Sequence, residues 1–106
     1  MDEFRAPKMS EEYKRAMFTA TVVLQELGPK LSGNTSLTPQ EGTRLLNAQW
    51  DVYLYAIAER DMQEAKDTAA LVDLLSGYLK LSGYNVKFTV RDKYCVTLRK
   101  PKKGRN

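Results

Sequence analysis

The 106-residue sequence predicts a mainly α fold of the α+β class, in which a three-helix bundle is followed by a C-terminal β-hairpin. Three observations support this prediction. Apolar residues recur at helical spacing through most of residues 10–82, and capping or turn residues mark the boundaries of the helical stretches. Residues 85–100 are instead rich in β-branched and aromatic residues and alternate in character, as a half-buried strand pair does.

The chain divides into a flexible N-terminal arm at residues 1–9, a single domain at residues 10–100 and a basic C-terminal tail at residues 101–106. With 42% hydrophobic and 28% charged residues, the composition is that of a globular domain. A chain of this size buries only roughly 60–70% of its unfolded surface, so association adds useful burial. We therefore expect a homodimer.

The first helix is predicted at residues 10–27. Ser10 is a good N-cap, and the two glutamates that follow it suit the positive end of the helix dipole. Gly28 and Pro29 predict its end, because glycine favours the left-handed cap and proline cannot continue the hydrogen-bond ladder. Residues 28–37 are then a turn-rich loop.

The second helix is predicted to begin after Thr38. Thr38 and Glu41 have the spacing of a capping box, and Pro39 occupies the first helical position, where proline is tolerated. A broad apolar surface follows and includes Trp50, which indicates a central helix or one with two packing partners.

Residues 39–82 can be read as one helix or two, because no glycine or proline occurs between Thr43 and Ser76. We favour a break near residues 59–61, since Asp61 and Glu64 resemble a second capping pair. A single continuous helix is the alternative.

The hairpin is predicted to have one apolar face and one polar face. Val86, Phe88, Val90, Val96 and Leu98 form the first, and Lys87, Thr89, Arg91, Cys95, Thr97 and Arg99 form the second. A loop of three residues at 92–94, or a five-residue loop with the same pairing, keeps each face uniform. It places Phe88 opposite Leu98 and Lys87 opposite Arg99.

Charge is distributed unevenly along the chain. Residues 84–106 hold eight of the 17 Lys and Arg residues and one of the 13 acidic residues, a net charge of +7, which leaves −3 for the rest. A basic end on an acidic body indicates a polyanionic partner. The candidate nucleic-acid-binding residues are Lys87, Arg91, Lys93, Arg99, Lys100, Lys102, Lys103 and Arg105.

We therefore predict a small accessory protein, of a kind that bacteriophages or mobile elements encode, that contacts the phosphates of DNA or RNA. The same charge also fits an acidic protein partner or simple solvation. The alternative function is an adaptor or inhibitor that binds another protein. It would use the apolar surface of the second helix at Trp50, Tyr53 and Tyr55, or an unpaired edge of the hairpin.

Catalysis is not expected. The chain has no histidine and a single cysteine, Cys95, which excludes Ser-His-Asp and Cys-His chemistry and zinc sites built on Cys and His. The nearest thing to a metal cluster is a set of carboxylates that helical spacing does not bring to one face: Asp61, Glu64, Asp67 and Asp73. We expect no enzyme activity, metal or cofactor.

A cytoplasmic location is expected, without a membrane partner. No apolar run approaches the roughly 20 residues of a membrane-spanning helix, and residues 1–8 have mixed charge and no apolar segment of a secretory signal. A lone cysteine fits a reducing compartment.

The order of three helices and a hairpin resembles that of winged-helix DNA-binding domains, in which the hairpin is the wing. Helices of about 18–22 residues are longer than helix-turn-helix elements usually are. The third helix also lacks a cluster of Arg, Asn or Gln to read bases. The resemblance is therefore one of topology and does not establish a function.

Overall fold

The chain forms three helices followed by an antiparallel two-stranded hairpin, as the mainly helical α+β prediction requires. The computed structural model describes residues 9–33, 36–89 and 93–98. Its elements are α1 (Glu11–Ser32), α2 (Pro39–Ala58), α3 (Met62–Leu81), β1 (Tyr84–Phe88) and β2 (Tyr94–Leu98). The predicted tail at residues 101–106 lies outside the described residues, as does the predicted arm except for Met9.

α2 is the central element. It packs against both α1 and α3, while β2 lies on α2 and β1 lies on α3. The core is a continuous set of aliphatic side chains and two tyrosines, and its largest fully buried members are Tyr13, Val23, Leu27, Leu37, Leu45, Leu46 and Leu79. The breadth of the apolar surface of α2 therefore follows from its several packing partners.

α1 extends five residues beyond the predicted end at residue 27 and contains Pro29 in its last turns. Proline removes one helical hydrogen bond, but tertiary contacts compensate for that loss. Leu27 is buried, and Leu31 packs against the core. Lys30 reaches across to α2, where its ammonium lies 2.8 Å from Oε2 of Glu41. These contacts hold the helix together past the Gly28-Pro29 signal.

The start of α2 is as predicted. The Thr38 hydroxyl accepts a hydrogen bond from the amide of Glu41 at 3.1 Å, and the Glu41 carboxylate accepts from the amide of Thr38 at 2.9 Å. Both hydrogen bonds of the capping box are therefore present, and Pro39 occupies the first helical position. The same carboxylate accepts hydrogen bonds from the Lys30 ammonium, and this interaction lowers the pKa of Glu41 below its ordinary value.

The break between α2 and α3 is confirmed, so residues 39–82 form two helices. Arg60 adopts a left-handed conformation with φ of 61°. Asp61 caps α3 by accepting from the amide of Glu64 at 3.3 Å. Asp61 also accepts a 2.8 Å hydrogen bond from the buried Tyr13 hydroxyl, which ties the start of α1 to the start of α3.

The hairpin is held close to the helices at its base. Tyr84 is buried, and its hydroxyl donates to the backbone carbonyl of Leu37 before α2. Gly42 lies below the junction of α3 and β2, where a β-carbon would stand 3.2 Å from Leu79 and 3.4 Å from Val96. A glycine at this position therefore allows β2 to approach α2 closely.

Candidate nucleic-acid interface

Two polar side chains of α2 hydrogen-bond to the backbone of β2. The side chain of Asn47 donates to the carbonyl of Tyr94 at 3.0 Å and accepts from its amide at 2.7 Å. One turn earlier, the hydroxyl of Thr43 accepts from the amide of Val96 at 2.9 Å. These bonds satisfy the outward backbone groups of β2, as a third strand would. The hairpin is thereby fixed on α2.

An aromatic cluster of Trp50, Tyr53, Phe88 and Tyr94 packs the hairpin against α2. Trp50 stacks on Tyr53, with ring centroids 4.6 Å apart. Its edge contacts with Phe88 and Tyr94 have centroids 5.3 and 5.5 Å apart and nearly perpendicular rings. Such edge-to-face pairs are favourable and fix ring orientation. The cluster positions the hairpin from its apolar side.

The opposite side of the hairpin is the polar face, formed by Asn85, Lys87, Cys95 and Thr97. Lys87, Cys95 and Thr97 are exposed, and Asn85 is half-buried. The face contains one cation and no acid among its described residues. The predicted alternation is therefore confirmed for the two strands, whereas Val90, Arg91 and Arg99 lie outside the described residues.

The pairing register differs from the predicted one. Val96 lies opposite Val86, and Lys87 lies opposite Cys95 instead of Arg99. β1 ends earlier than predicted, at Phe88, and the amide of Thr89 donates a 2.7 Å hydrogen bond to the carbonyl of Lys93 just before β2. This shift brings Tyr94 into the strand, where its ring enters the aromatic cluster. The shift is an even number of residues, so the two faces keep their composition.

Lys93 extends from the hairpin loop over α2. Its ammonium lies 3.4 Å from Oδ1 of Asp51, and both side chains are about half exposed, at 53% and 43%. An ion pair this exposed contributes at most about 1 kcal/mol. Lys93 can therefore exchange this partner for a phosphate at little cost.

Two of the eight predicted basic residues, Lys87 and Lys93, are thus on the described part of the hairpin. The other six lie outside the described residues: Arg91, Arg99, Lys100, Lys102, Lys103 and Arg105. They flank or follow the strands in sequence. Their contribution to a basic surface remains a prediction, because the structure does not describe them.

The three aromatic residues predicted for a protein interface have different environments. Trp50 and Tyr53 are half-buried in the aromatic cluster. Tyr55 is half-buried on the side of α2 that packs against α1, where its ring stacks on Tyr13 at a centroid distance of 6.4 Å. It also lines a cleft between α1 and α2 of about 250 Å³, together with Arg15 and Asp51.

Three of the four carboxylates considered from the sequence have separate hydrogen-bond partners. Asp61 is the α3 cap, Glu64 accepts from Thr68 at 3.1 Å, and Asp67 accepts from Gln63 at 3.0 Å. Asp73 lies near Tyr94. Burial raises the pKa of Tyr94 above its ordinary value, and the charge of Asp73 raises it further.

Across residues 9–33, 36–89 and 93–98, no group of three metal-binding side chains comes together and no helix is long and apolar enough to cross a membrane.

Thr43 and Asn47 are the site residues that the sequence analysis did not identify. Their signal is weak, because a threonine and an asparagine four residues apart on a helix are usually solvent-facing. The one hint is that Asn47 falls between the apolar residues Leu46 and Ala48, where a polar side chain needs a buried partner. That partner is the edge of β2, which local sequence patterns do not reveal.

Comparison with known proteins adds no relative. No family model matches the chain, and no curated protein or solved structure shows significant similarity to it.

Proposed function

We propose that this is a small, non-catalytic accessory protein that binds nucleic acid through its hairpin and the basic segment after it, with no cofactor. One observation carries the proposal, namely the concentration of eight Lys and Arg residues and one acid in residues 84–106. The proposal includes an origin in a bacteriophage or mobile element. The remaining residues carry a net charge of −3, which orients the protein with its basic end toward the polyanion.

The hairpin suits contact with phosphates better than reading of bases. Lys87 is exposed on a polar face without a described acid, and Lys93 is held by one weak ion pair. Lysine ammonium groups bind phosphates as point charges and carry little sequence information. The bonds of β2 to Thr43 and Asn47 hold the hairpin backbone in place, so less ordering of that backbone is needed on binding.

We also infer that the protein acts in the cytoplasm as a homodimer. Cys95 is exposed and is the single cysteine of the chain, so it has no intramolecular partner and would stay reduced there. A dimer would present two hairpins to one polymer, which increases the effective concentration of the second hairpin after the first has bound.

The test is a comparison of two double variants with matched charge. Lys87→Gln with Lys93→Gln removes two charges from the hairpin, and Lys14→Gln with Lys66→Gln removes two from the helices. Binding to labelled single-stranded and duplex DNA and RNA is measured by fluorescence anisotropy. The proposal predicts at least roughly tenfold weaker binding for the hairpin pair and a smaller effect for the control.

Deletion of residues 101–106 extends the same test to the tail. Loss of Lys102, Lys103 and Arg105 is expected to weaken binding equally across sequences and to reduce the salt slope by about two to three. Equal binding by the hairpin variant, the helix variant and the deletion would contradict the proposal.

A protein-binding adaptor or inhibitor is the second candidate. It is favoured by the outer edge of β1, where the strand register directs the backbone groups of Val86 and Phe88 away from β2. An extended segment of a partner could add to this edge. Alternatively, a partner could enter the cleft beside Tyr55. Capture of a partner that is lost in Tyr55→Ala and kept in the tail deletion would favour this candidate over nucleic-acid binding.

A further inference from the structure

The backbone around Lys93 is held in place at the end of the hairpin. The carbonyl of Lys93 accepts a 2.7 Å hydrogen bond from the amide of Thr89. The next residue, Tyr94, is bonded through both its amide and its carbonyl to the side chain of Asn47 on α2. The ammonium of Lys93 therefore changes position mainly through rotations of its own side chain.

Asp51 lies within reach of that side chain, because it follows Asn47 by four residues and so stands one turn further along the same side of α2. Its Oδ1 is 3.4 Å from the Lys93 ammonium. In the part of the chain that the structure describes, Lys93 is the one cation that forms an ion pair with Asp51. The acidic body of the protein thus supplies an anion to its own basic hairpin.

A carboxylate and a phosphate would compete for this ammonium. Both present oxygen atoms that accept hydrogen bonds from the same N–H donors. Binding both at once would place two anions beside a single positive charge, and the anions repel each other. Lys93 and Asp51 are both about half exposed, so a phosphate can approach the ammonium from solvent. Phosphate binding at Lys93 is therefore opposed by its contact with Asp51.

We propose that Asp51 is an internal competitor for phosphate at the hairpin, which lowers the affinity of the protein for nucleic acid by holding Lys93. The inference rests on the proposed function and adds a regulating contact to the same site. α2 then has two opposite effects on the hairpin. Asn47 holds its backbone in the binding position, whereas Asp51 occupies one of its cations.

The expected effect of removing the competitor is small and depends on salt. Asp51→Asn keeps the shape of the side chain and removes its charge. Because an exposed lysine–carboxylate pair changes an equilibrium constant by at most about fivefold, this variant should bind nucleic acid about two- to fivefold more tightly. Salt screens exposed pairs, so the gain should be larger at about 50 mM salt than at about 200 mM.

Asp73→Asn is the matched control. Asp73 is an exposed acid on α3 that lies near Tyr94, so it is also close to the hairpin. Among the residues that the structure describes, no lysine or arginine forms an ion pair with Asp73. Its replacement makes the same change in net charge but frees no cation. Asp73→Asn should therefore strengthen binding clearly less than Asp51→Asn.

The test is a double-mutant cycle of Asp51→Asn and Lys93→Gln. Wild type, the two single variants, the double variant and Asp73→Asn are titrated with labelled single-stranded and duplex DNA and RNA, and binding is measured by fluorescence anisotropy. Circular dichroism and thermal unfolding check that each variant is folded. If Asp51 acts through Lys93, its replacement should change affinity less than about 1.5-fold in the Lys93→Gln background.

Tighter binding by Asp51→Asn that disappears in the Lys93→Gln background would support the proposal. An equal gain in both backgrounds, an equal gain in Asp73→Asn, or no gain at all would overturn it. Weaker binding by Lys93→Gln together with no gain in Asp51→Asn would remove the competition and leave the nucleic-acid-binding function standing. Absence of binding to all four polymers would overturn both proposals.

Discussion

The side-chain amide of Asn47 forms two hydrogen bonds with the backbone of Tyr94, one to its carbonyl at 3.0 Å and one from its amide at 2.7 Å. A single side chain of α2 therefore takes the place of a neighbouring strand at this point of β2. With Thr43 one turn away, it determines which residues of β2 can face α2. The contact holds β2 on α2, and the pairing of β1 with β2 then places Lys87 opposite Cys95.

Asn47→Ala is expected to destabilise the protein by about 1–3 kcal/mol, because it leaves the Tyr94 amide and carbonyl without their partner. Urea unfolding measures the loss. Hydrogen exchange at the Tyr94 amide should become faster, while exchange in α1 changes less. Asn85→Ala, on the polar face, is the control and should change stability by less than about 0.5 kcal/mol. Unchanged protection of Tyr94 in Asn47→Ala would contradict this account of the register.

Trp50→Ala is expected to cost about 3–5 kcal/mol, since it removes the central ring of the aromatic cluster. Trp50→Phe should cost clearly less, because Nε1 of Trp50 is buried without a hydrogen-bond partner in the described part of the structure. Phenylalanine keeps much of the ring contact and loses no hydrogen bond. Thermal unfolding of both variants makes the comparison. Equal losses would indicate that the indole nitrogen has a stabilising partner after all.

Arg60→Gly is expected to stabilise the protein by about 0.5–1 kcal/mol. The φ of 61° at this residue is strained for a side chain with a β-carbon and is readily adopted by glycine. Arg60→Ala keeps the strain and removes the charge, so its stability should stay within about 0.5 kcal/mol of wild type. Chemical denaturation of the three proteins separates the two effects, and stabilisation by alanine alone would contradict the backbone explanation.

Tyr13→Phe is expected to reduce stability at neutral pH and to change its dependence on alkaline pH. Burial, and then the hydrogen bond to Asp61, raise the pKa of Tyr13 far above its ordinary value of 10.0. The unfolded chain loses this proton first, so the contribution of Tyr13 is complete below pH 10 and declines as the pH rises further. The stability gap between wild type and Tyr13→Phe should therefore stay constant up to about pH 9 and narrow as the pH rises above about 10. A gap that widens over this range would contradict the assignment.

Capping residues in the sequence correctly predicted where α2 and α3 begin. Thr38 and Glu41 begin α2, and Asp61 begins α3, because each contact lies within three residues along the chain. The end of α1 was predicted wrongly, since the Lys30–Glu41 ion pair and the packing of Leu31 are long-range contacts. Local turn chemistry at Gly28 and Pro29 could not include them.

The candidate site could also be predicted only in part: the faces of the strands were correct, and their pairing register was not. Alternation along residues 85–98 assigns Lys87, Cys95 and Thr97 to one face, because strand periodicity is a local property. The register depends on Asn47, more than 40 residues away, and on the preference of Tyr94 for the aromatic cluster. Pairing rules applied to the hairpin alone therefore chose a loop that comes too late in the chain.

Titration of wild-type protein with labelled single-stranded and duplex DNA and RNA, at low and moderate salt, tests the central claim most directly. If six of the eight basic residues after Tyr84 contact phosphates, affinity should fall roughly 10³-fold between about 50 and 200 mM salt. The same slope is expected for different sequences of one polymer. Absence of binding to all four polymers at about 50 mM salt would contradict the assignment of the hairpin as a nucleic-acid-binding surface.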